Sequence, residues 1–393
     1  MRADNETQVV DAVRAARADG TPFEIVAGGT RRAVGRPALD ANGVALNQLD
    51  VSGLAGIRKY EPEELIVTAG PATALAEIAQ VLAQKNQRLG FDPADWSKLL
   101  GAKGTATLGG AMSADASGSG KLRHGPARDS LLGFHGVNGL GEAFRGGSRV
   151  VKNVTGFDLP KLVCGAFGTL AVLTEVTFRV YPRPTHSVTL CLPDMTPADG
   201  FAALRKIAHS ALGPAGLAYL PAAMAGDAGI AGAGRGAALI RLEGAPRPLE
   251  EKAAMAHGLL GVEGSHIEDG EALFARIGCG EMFADVPGDV WRVLVAPADA
   301  PRMVADLGGD LGIGHWLGDW AGGVIWLAAP PADAARIRAL AAAAKGHAML
   351  LRAAPAQRAE LGLYAPQPPV LADLEKRVKA AFDPLSLFNP GRL

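Results

Sequence analysis

Cysteine is scarce in this chain, and the few that occur are scattered. The 393 residues contain three, Cys164, Cys191 and Cys279, with no Cys-x-x-Cys pair. This excludes a disulfide framework and does not indicate an iron–sulfur cluster. His315 and Asp319 lack a second histidine or carboxylate nearby in sequence, so we expect no metal site. A reducing cytoplasm is the simplest compartment.

The chain also has no excess of positive or negative charge and no long apolar run. Basic and acidic residues number 39 and 40 and are interspersed, which does not suggest a nucleic-acid surface. No run reaches the length that spans a bilayer, and the polar start Met1–Glu6 lacks the apolar core of a signal peptide. With 48% hydrophobic and 20% charged residues, the chain is globular and long enough for two domains.

The first hundred residues predict an α+β unit. The hydrophobic pattern predicts, in order, a helix over 5–19, strands at Phe23–Val26, Ile57–Tyr60 and Leu65–Ala69, and a helix at Thr73–Gln84.

A glycine pair follows the first of these strands, in Ala27-Gly28-Gly29-Thr30-Arg31-Arg32. Backbone N–H groups in such a turn can form a nest for phosphate oxygens, to which arginine adds positive charge. The alternative is a glycine turn with solvated arginines. The pattern is not G-x-G-x-x-G and no helix follows directly, which argues against a Rossmann site.

Residues 101–125 are rich in glycine and small hydroxyl residues and have few large side chains. Such a stretch cannot build an apolar core, and it is typical of backbone that wraps a ligand. Glycines 109 and 110 let a ligand come close. The hydroxyls that can donate to phosphates or ring carbonyls are Thr105, Thr107, Ser113 and Ser117. The alternative is a long flexible surface loop.

A third stretch, Arg149–Val180, ends in two apolar runs that predict strands, Leu170–Leu173 and Val176–Val180. Gly165 and Gly168 precede them and permit positive φ or close backbone approach. A loop against which a flat ligand lies has this pattern, and so does a buried strand pair with glycine turns.

Beyond Pro182-Arg183-Pro184 the chain alternates strands and helices, which suggests a small sheet with helices on one face. The predicted helices are Ala198–Ser210, Pro248–Leu260, Ala300–Leu307 and Ala332–Ala344; the strands are Ala238–Glu243, Val290–Ala296, Val324–Ala328 and Ala348–Arg352. Trp316 and Trp320 are expected to pack this part against the first or against a partner. After a helix at Val370–Ala381, Asp-Pro and Asn-Pro-Gly signal turns in a pinned C-terminus.

Together these segments resemble a known family. The strings K-N-V-T-G-F-D-L-P-K-L at 152–162 and C-G-A-F-G-T-L-A-V-L-T-E-V at 164–176 resemble the vanillyl-alcohol-oxidase type, or PCMH-type, FAD-binding family. Within it they are most similar to the FAD-binding subunits of bacterial glycolate oxidases. The C-terminal D-P-x-x-x-x-N-P-G-R ending also resembles many FAD-linked oxidases.

The resemblance implies an α+β fold: a PCMH-type FAD-binding domain of two α+β subdomains over 1–184, and a smaller α/β cap domain over 185–363. A C-terminal helix and tail over 364–393 would return to the flavin domain. FAD would be bound non-covalently, since Arg31 and Arg32 occupy the turn where a linking histidine would sit. The implied cofactor-binding residues are Ala27, Gly28, Gly29, Thr30, Arg31, Arg32, Thr105, Thr107, Leu108, Gly109, Gly110, Ser113, Ala114, Ser117, Gly118, Val172 and Thr174.

The function implied is that of an FAD-dependent oxidoreductase subunit in a glycolate oxidase complex, with a second FAD-linked subunit and an iron–sulfur subunit. The complex would oxidise glycolate, a small 2-hydroxy acid, in the cytoplasm or at the inner membrane face through its partners. No histidine cluster is found, so no catalytic residue is assigned; Arg123, His124 and His315 are candidates. The missing cluster favours electron relay or assembly. A self-sufficient 2-hydroxy-acid dehydrogenase and a non-enzymatic scaffold are the alternatives.

Overall fold

A computed structural model describes residues 1–40, 42–148 and 157–393. Arg149–Gly156, the start of the third stretch, therefore lies outside the described residues, together with part of the string at 152–162. No helix in the described part of the chain combines the length and apolar character needed to cross a membrane.

The described strands form three sheets. In chain order they are β1 Phe23–Val26, β2 Asn47–Asp50, β3 Ile57–Glu61, β4 Ile66–Ala69, β5 Gln87–Leu89, β6 Leu131–Val137, β7 Ala143–Gly147, β8 Val172–Pro182, β9 His186–Pro193, β10 Gly216–Leu220, β11 Ala237–Gly244, β12 Ser265–Ile267, β13 Asp289–Leu294, β14 Trp316–Asp319, β15 Val324–Ala329 and β16 His347–Arg352.

The helices pack around these sheets. They are α1 Glu6–Asp19, α2 Leu75–Ala83, α3 Leu108–Ser113, α4 Lys121–His124, α5 Ala127–Ser130, α6 Leu159–Val163, α7 Pro197–Ala208, α8 Ala222–Asp227, α9 Pro246–Leu260, α10 Gly270–Gly278, α11 Ala300–Leu311, α12 Ala334–Ala343, α13 Pro355–Leu361 and α14 Pro369–Phe382. Short 3₁₀ turns lie at Glu281–Phe283, Trp320–Gly322 and Pro331–Asp333.

The five elements predicted in the first hundred residues are all present, whereas β2 and β5 were not predicted. Asn5 caps α1 by accepting a hydrogen bond from the Gln8 backbone N–H, and Gly20 ends the helix at a φ of 62°. Strand β1 pairs in parallel with β2. Beside them, the second sheet has the order β3-β4-β8-β6-β7, with β5 on the end of β8 and every pairing antiparallel.

The prediction of two strands around residues 170–180 is wrong. They form one 11-residue strand, β8, which pairs with β4, β5 and β6. Thr174 and Glu175 interrupt the apolar pattern but not the strand, because successive side chains alternate between the two faces and Glu175 lies on the less buried one. This long strand lies at the centre of the second sheet.

The third sheet is larger than the sequence suggested. Its eight strands run β12-β9-β11-β10-β14-β15-β13-β16, all antiparallel. The apolar sides of α7, α9, α11 and α12 cover one face, as expected. On the other face Leu317 and Trp326 pack in one cluster with Trp96, Ala116 and Phe167 from the first half of the chain. The two halves therefore share an apolar core.

The C-terminal tail returns to β1 and is held there by a buried ion pair. Lys379 Nζ lies 2.6 Å from Asp383 Oδ2, and it also donates to the carbonyl oxygens of Thr169 and Phe388. Asp383 is fully buried and accepts hydrogen bonds from the backbone N–H groups of Leu387 and Phe388. Burial lowers the pKa of Lys379, and Asp383 opposes that shift.

We predict that Asp383→Ala lowers the free energy of unfolding by about 3 kcal/mol, because it leaves the half-buried Lys379 ammonium without its counter-ion and two backbone donors without their acceptor. Chemical denaturation of the purified protein measures this. Asp373→Ala is the matched control on the same helix, since its ion pair with Lys376 is solvent-exposed. The control should change stability by less than about 0.5 kcal/mol. Equal effects in the two variants would contradict a role for Asp383 in holding the tail.

Candidate functional site

A groove lies at the end of β1, where four segments of the chain meet. It encloses about 860 Å³, counting the part that is open to solvent. Its walls come from residues 24–32, from positions within 107–114, from positions within 167–173, and from Asn389 and Arg392, with Val51 and Pro71 completing the lining. All three glycine-rich stretches identified in the sequence therefore contribute to one concave surface.

Eleven of the seventeen implied cofactor-binding residues line this groove. They are Ala27, Gly28, Gly29, Thr30, Arg31, Arg32, Thr107, Gly109, Gly110, Ser113 and Ala114. Six others do not line it: Thr105, Leu108, Ser117, Gly118, Val172 and Thr174.

Five of the six outlying residues are buried, and Thr105 is exposed. Leu108 and Val172 lie in apolar cores. Ser117 accepts a hydrogen bond from the Ala127 N–H, and Thr174 donates one to Glu6. These four side chains are therefore turned into the protein and away from the groove.

The floor of the groove is a crossing of two backbone segments at glycine. A β-carbon built on Gly28 would lie 1.7 Å from the carbonyl oxygen of Thr105, and one built on Gly104 would lie 1.7 Å from that of Gly28. No side chain fits at either position. The turn after β1 is therefore held against the segment that leads into α3, and that segment is not the surface loop offered as an alternative: Ala106, Leu108, Ala111 and Met112 are buried.

Arg31 is a buried cation with unused hydrogen-bond donors. Its Nη2 donates to the Ala94 carbonyl and its guanidinium lies 5.2 Å from the centre of the Trp96 ring. Its Nε and Nη1 are buried without a hydrogen-bond partner. Burial lowers the pKa of Arg31 to about 10, against a smaller opposing effect of Asp95. Arg31 remains charged at neutral pH, and an anion in the groove would satisfy it.

Two further arginines share one buried carboxylate at the same wall. Arg32 donates to Glu24 through Nε and Nη2, the latter at 2.6 Å. Arg392 Nη1 lies 3.6 Å from Glu24 Oε1, and its Nη2 donates to the Arg31 carbonyl at 2.7 Å. Burial lowers the pKa of Arg392 to about 10, with Glu24 opposing. Three guanidinium groups against one carboxylate give the groove excess positive charge.

Asn389 ties the walls of the groove together. Its Oδ1 accepts from the Ile25 N–H and its Nδ2 donates to the Phe167 carbonyl, both at 2.8 Å. Its own N–H donates to the Phe23 carbonyl. The implied site residues omitted Glu24, Asn389 and Arg392. The Asn-Pro-Gly-Arg ending was the signal for the last two; nothing local marks Glu24.

The third sheet meets this region through a tryptophan and a buried carboxyl. Trp320 Nε1 donates to the Gly118 carbonyl at 3.0 Å, which confirms the expected packing of a tryptophan against the first half. Asp319 accepts hydrogen bonds from Ser119 Oγ at 2.7 Å and from the Trp320 N–H. Burial raises the pKa of Asp319 to about 6, despite those hydrogen bonds.

The three candidates for a conventional catalytic site do not line the groove. His124 Nδ1 lies 2.6 Å from Arg88 Nη2, and its Nε2 lies 3.5 Å from Glu243. Arg123 and His315 are exposed. Within the described residues there is no group of three or more histidine, cysteine, aspartate or glutamate side chains that could hold a metal ion.

Comparison with known proteins also indicates a binding site for FAD in the first part of the chain. A family model described as an FAD binding domain matches residues 1–147. The glycolate oxidase subunit GlcE of Escherichia coli (strain K12) is 31% identical over 391 residues, covering 99% of this chain and 97% of GlcE. The glycolate oxidase subunit GlcD of Bacillus subtilis (strain 168) is 29% identical over 134 residues, 34% of this chain and 27% of GlcD.

A solved structure of p-cresol methylhydroxylase with substrate bound superposes with a TM-score of 0.70, covering 100% of this chain and 88% of that one at 16% identity. This likeness confirms the PCMH-type α+β fold.

The residues present fit FAD. Its diphosphate requires donors and positive charge, and the groove offers the unpartnered Nε and Nη1 of Arg31 beside a backbone turn that no β-carbon obstructs. The cofactor is FAD. The near-full-length match to GlcE and the groove together lead to one conclusion: the chain belongs to the family of FAD-linked oxidoreductases that contains the glycolate oxidase subunit GlcE.

Proposed function

We propose that this chain is the FAD-binding subunit of a glycolate oxidase complex, which oxidises glycolate to glyoxylate. The observation that carries the proposal is the match to GlcE over 99% of this chain and 97% of GlcE. The chain acts in electron relay or assembly, together with a second FAD-linked subunit and an iron–sulfur subunit. The cytoplasm, or the inner membrane face reached through these partners, is the proposed location.

We propose that FAD is held non-covalently by the eleven lining residues, with its diphosphate at Gly28, Gly29 and Arg31. When bound, FAD supplies a group that can accept a hydride and pass electrons on. The protein's part is to orient it: Arg31 neutralises phosphate charge, Glu24 holds Arg32 and Arg392 in place, and Asn389 keeps the groove walls together.

A three-part organisation is part of the same proposal: a flavin domain over 1–184, a cap domain over 185–363 and a C-terminal segment over 364–393. Support comes from the strand partition, since β9 to β16 form a sheet of their own and the tail after α14 pairs with β1.

The residues that line the groove favour a role in electron relay or assembly over oxidation of the substrate by this chain alone. Among the described residues that line the groove there is no histidine, and the one carboxylate, Glu24, is bound by Arg32 and Arg392. A general base must be free to take a proton from the substrate hydroxyl. Glu24 is not free, so the base would belong to the second flavin subunit.

The proposal predicts that the isolated chain purifies yellow, or becomes yellow with added FAD, and that anaerobic glycolate or D-lactate leaves its flavin absorbance unchanged. In the assembled complex, anaerobic glycolate should bleach the flavin of this chain too. Bleaching of the isolated chain would instead establish a self-sufficient 2-hydroxy-acid dehydrogenase. A colourless protein that FAD cannot reconstitute would leave only a scaffold role.

A second prediction separates FAD binding from folding. Arg31→Met keeps the packing on Trp96 and removes a buried charge, so the FAD-free protein should be as stable as wild type or more so. FAD affinity should fall by roughly 100-fold, about 3 kcal/mol, because a buried charge contact is lost. Thermal unfolding and FAD titration by fluorescence quenching measure the two effects.

Arg14→Met is the matched control. Arg14 is exposed, but like Arg31 it donates to a backbone carbonyl, that of Gly141, and it does not line the groove. Its FAD affinity should stay at the wild-type value. If Arg31→Met keeps wild-type FAD affinity and loses stability, Arg31 is a structural residue and not a phosphate ligand.

A further inference from the structure

Two cations contact one tryptophan where the third sheet meets the first half of the chain. Lys121 Nζ lies 4.3 Å from the centre of the Trp320 ring, and the guanidinium carbon of Arg292 lies 4.6 Å from it. Arg292 also lies 5.6 Å from the centre of the Trp326 ring. Among the described residues, neither cation has a hydrogen-bond acceptor or an ion-pair partner within bonding distance.

Arg292 is buried and Lys121 is half-buried. Arg292 is only 6% exposed. Burial lowers the pKa of Arg292, and Asp319 opposes the shift without touching it. Burial also lowers the pKa of Lys121, and the charge of Arg292 lowers it further. Cation–π contact compensates only part of the cost of burying two like charges side by side.

The nearby carboxyl groups are engaged elsewhere. Both oxygens of Asp319 accept hydrogen bonds, from Ser119 Oγ and from the Trp320 N–H. Asp115 Oδ1 accepts from the Arg128 N–H and from Cys164 Sγ. Neither carboxyl lies within ion-pair distance of Lys121 or Arg292. The ammonium of Lys121 and the guanidinium of Arg292 therefore have N–H donors that could bind one external anion.

An apolar cluster connects the tryptophan of this cation pair with the FAD groove. Ala114 and Phe167 line the groove, and they belong to the same apolar cluster as Trp320 and Trp326. Asp115 and Lys121 follow Ala114 closely in sequence. One apolar cluster therefore extends from the wall of the groove to Trp320.

We propose that Lys121 and Arg292 bind the carboxylate of a small organic acid, of the 2-hydroxy or 2-oxo acid class, against Trp320. The choice of acid class rests on the proposed function; the anion site itself rests on the unpaired cations. Guanidinium offers a planar pair of donors that matches a carboxylate, and ammonium adds a second charge. The chain therefore holds a ligand of its own and does more than carry FAD.

The test is isothermal titration calorimetry with glycolate and oxalate as probes, on the full chain with and without FAD, and with glycolamide as the neutral analogue. We expect both acids to bind and glycolamide not to bind. Arg292→Met and Lys121→Met should each weaken acid binding by about tenfold or more, because each removes a charged donor. Arg292→Lys, which keeps the charge, should recover part of the affinity.

Lys98→Met is the matched control, since Lys98 is an exposed lysine paired with Glu281 at the same junction of the two halves. It should bind the acids as wild type does. Absence of acid binding in wild-type protein, or unchanged binding in Arg292→Met and Lys121→Met, would overturn the proposal and leave the cations as a structural contact. FAD content, read from flavin absorbance in the same samples, tests the proposed function separately. If Arg292→Met does not fold, Lys121→Met and the glycolamide comparison still decide.

Discussion

The groove depends on one crossing of two backbone segments. At the crossing each segment has a glycine, which carries no β-carbon. Gly28 and Gly104 each present a bare α-carbon to the carbonyl oxygen of the other segment, at a distance where any side chain would overlap it. Two of the groove walls meet at this contact. The turn after β1 brings Arg31 and Arg32 to the groove, and the segment after Gly104 leads directly into α3, whose first turn Thr107 caps. Replacing either glycine would separate the two halves of the site before it altered any charge.

The charges of the groove residues are unfavourable for the stability of the protein by themselves. Burial lowers the pKa of both Arg31 and Arg392 to about 10, and Glu24 is the single carboxylate at that wall. A protein selected for stability alone would replace Arg31 by an apolar side chain of similar volume. Keeping an under-satisfied guanidinium at the end of a strand is the expected cost of binding an anionic cofactor, and the same reasoning applies to Lys121 and Arg292.

Local pattern predicted the regular elements near the N-terminus well, because each is specified by neighbouring residues. Asn5 and Gly20 mark both ends of α1, and Phe23–Val26 forms β1 at the predicted bounds. The glycine-rich segments also predicted which chain regions meet. The hydrophobic pattern did not predict the strands whose existence or length depends on pairing with neighbouring strands. Strand β8 continues through Thr174 and Glu175 because β6 runs beside it from Val172 to Phe178 and pairs His135 with Glu175. Strands β9, β10, β12 and β14 were not predicted, and their pairing in the eight-stranded sheet explains them.

The site residues divide in the same way. Arg31 and Gly28 were predicted because their own segment carries the signal, whereas Asn389 and Arg392 acquire their roles through distant partners. Glu24 is bound both by Arg32, eight positions away, and by the distant Arg392. Asn389 bonds to Ile25 across 364 positions and Arg392 bonds to Arg31 across 361. Contacts of such separation form late, since the closure of a long loop costs entropy before it is rewarded. The groove is therefore complete only when the tail has docked, and the Lys379–Asp383 pair that fixes the tail, although remote from any phosphate, is a determinant of the shape of the site.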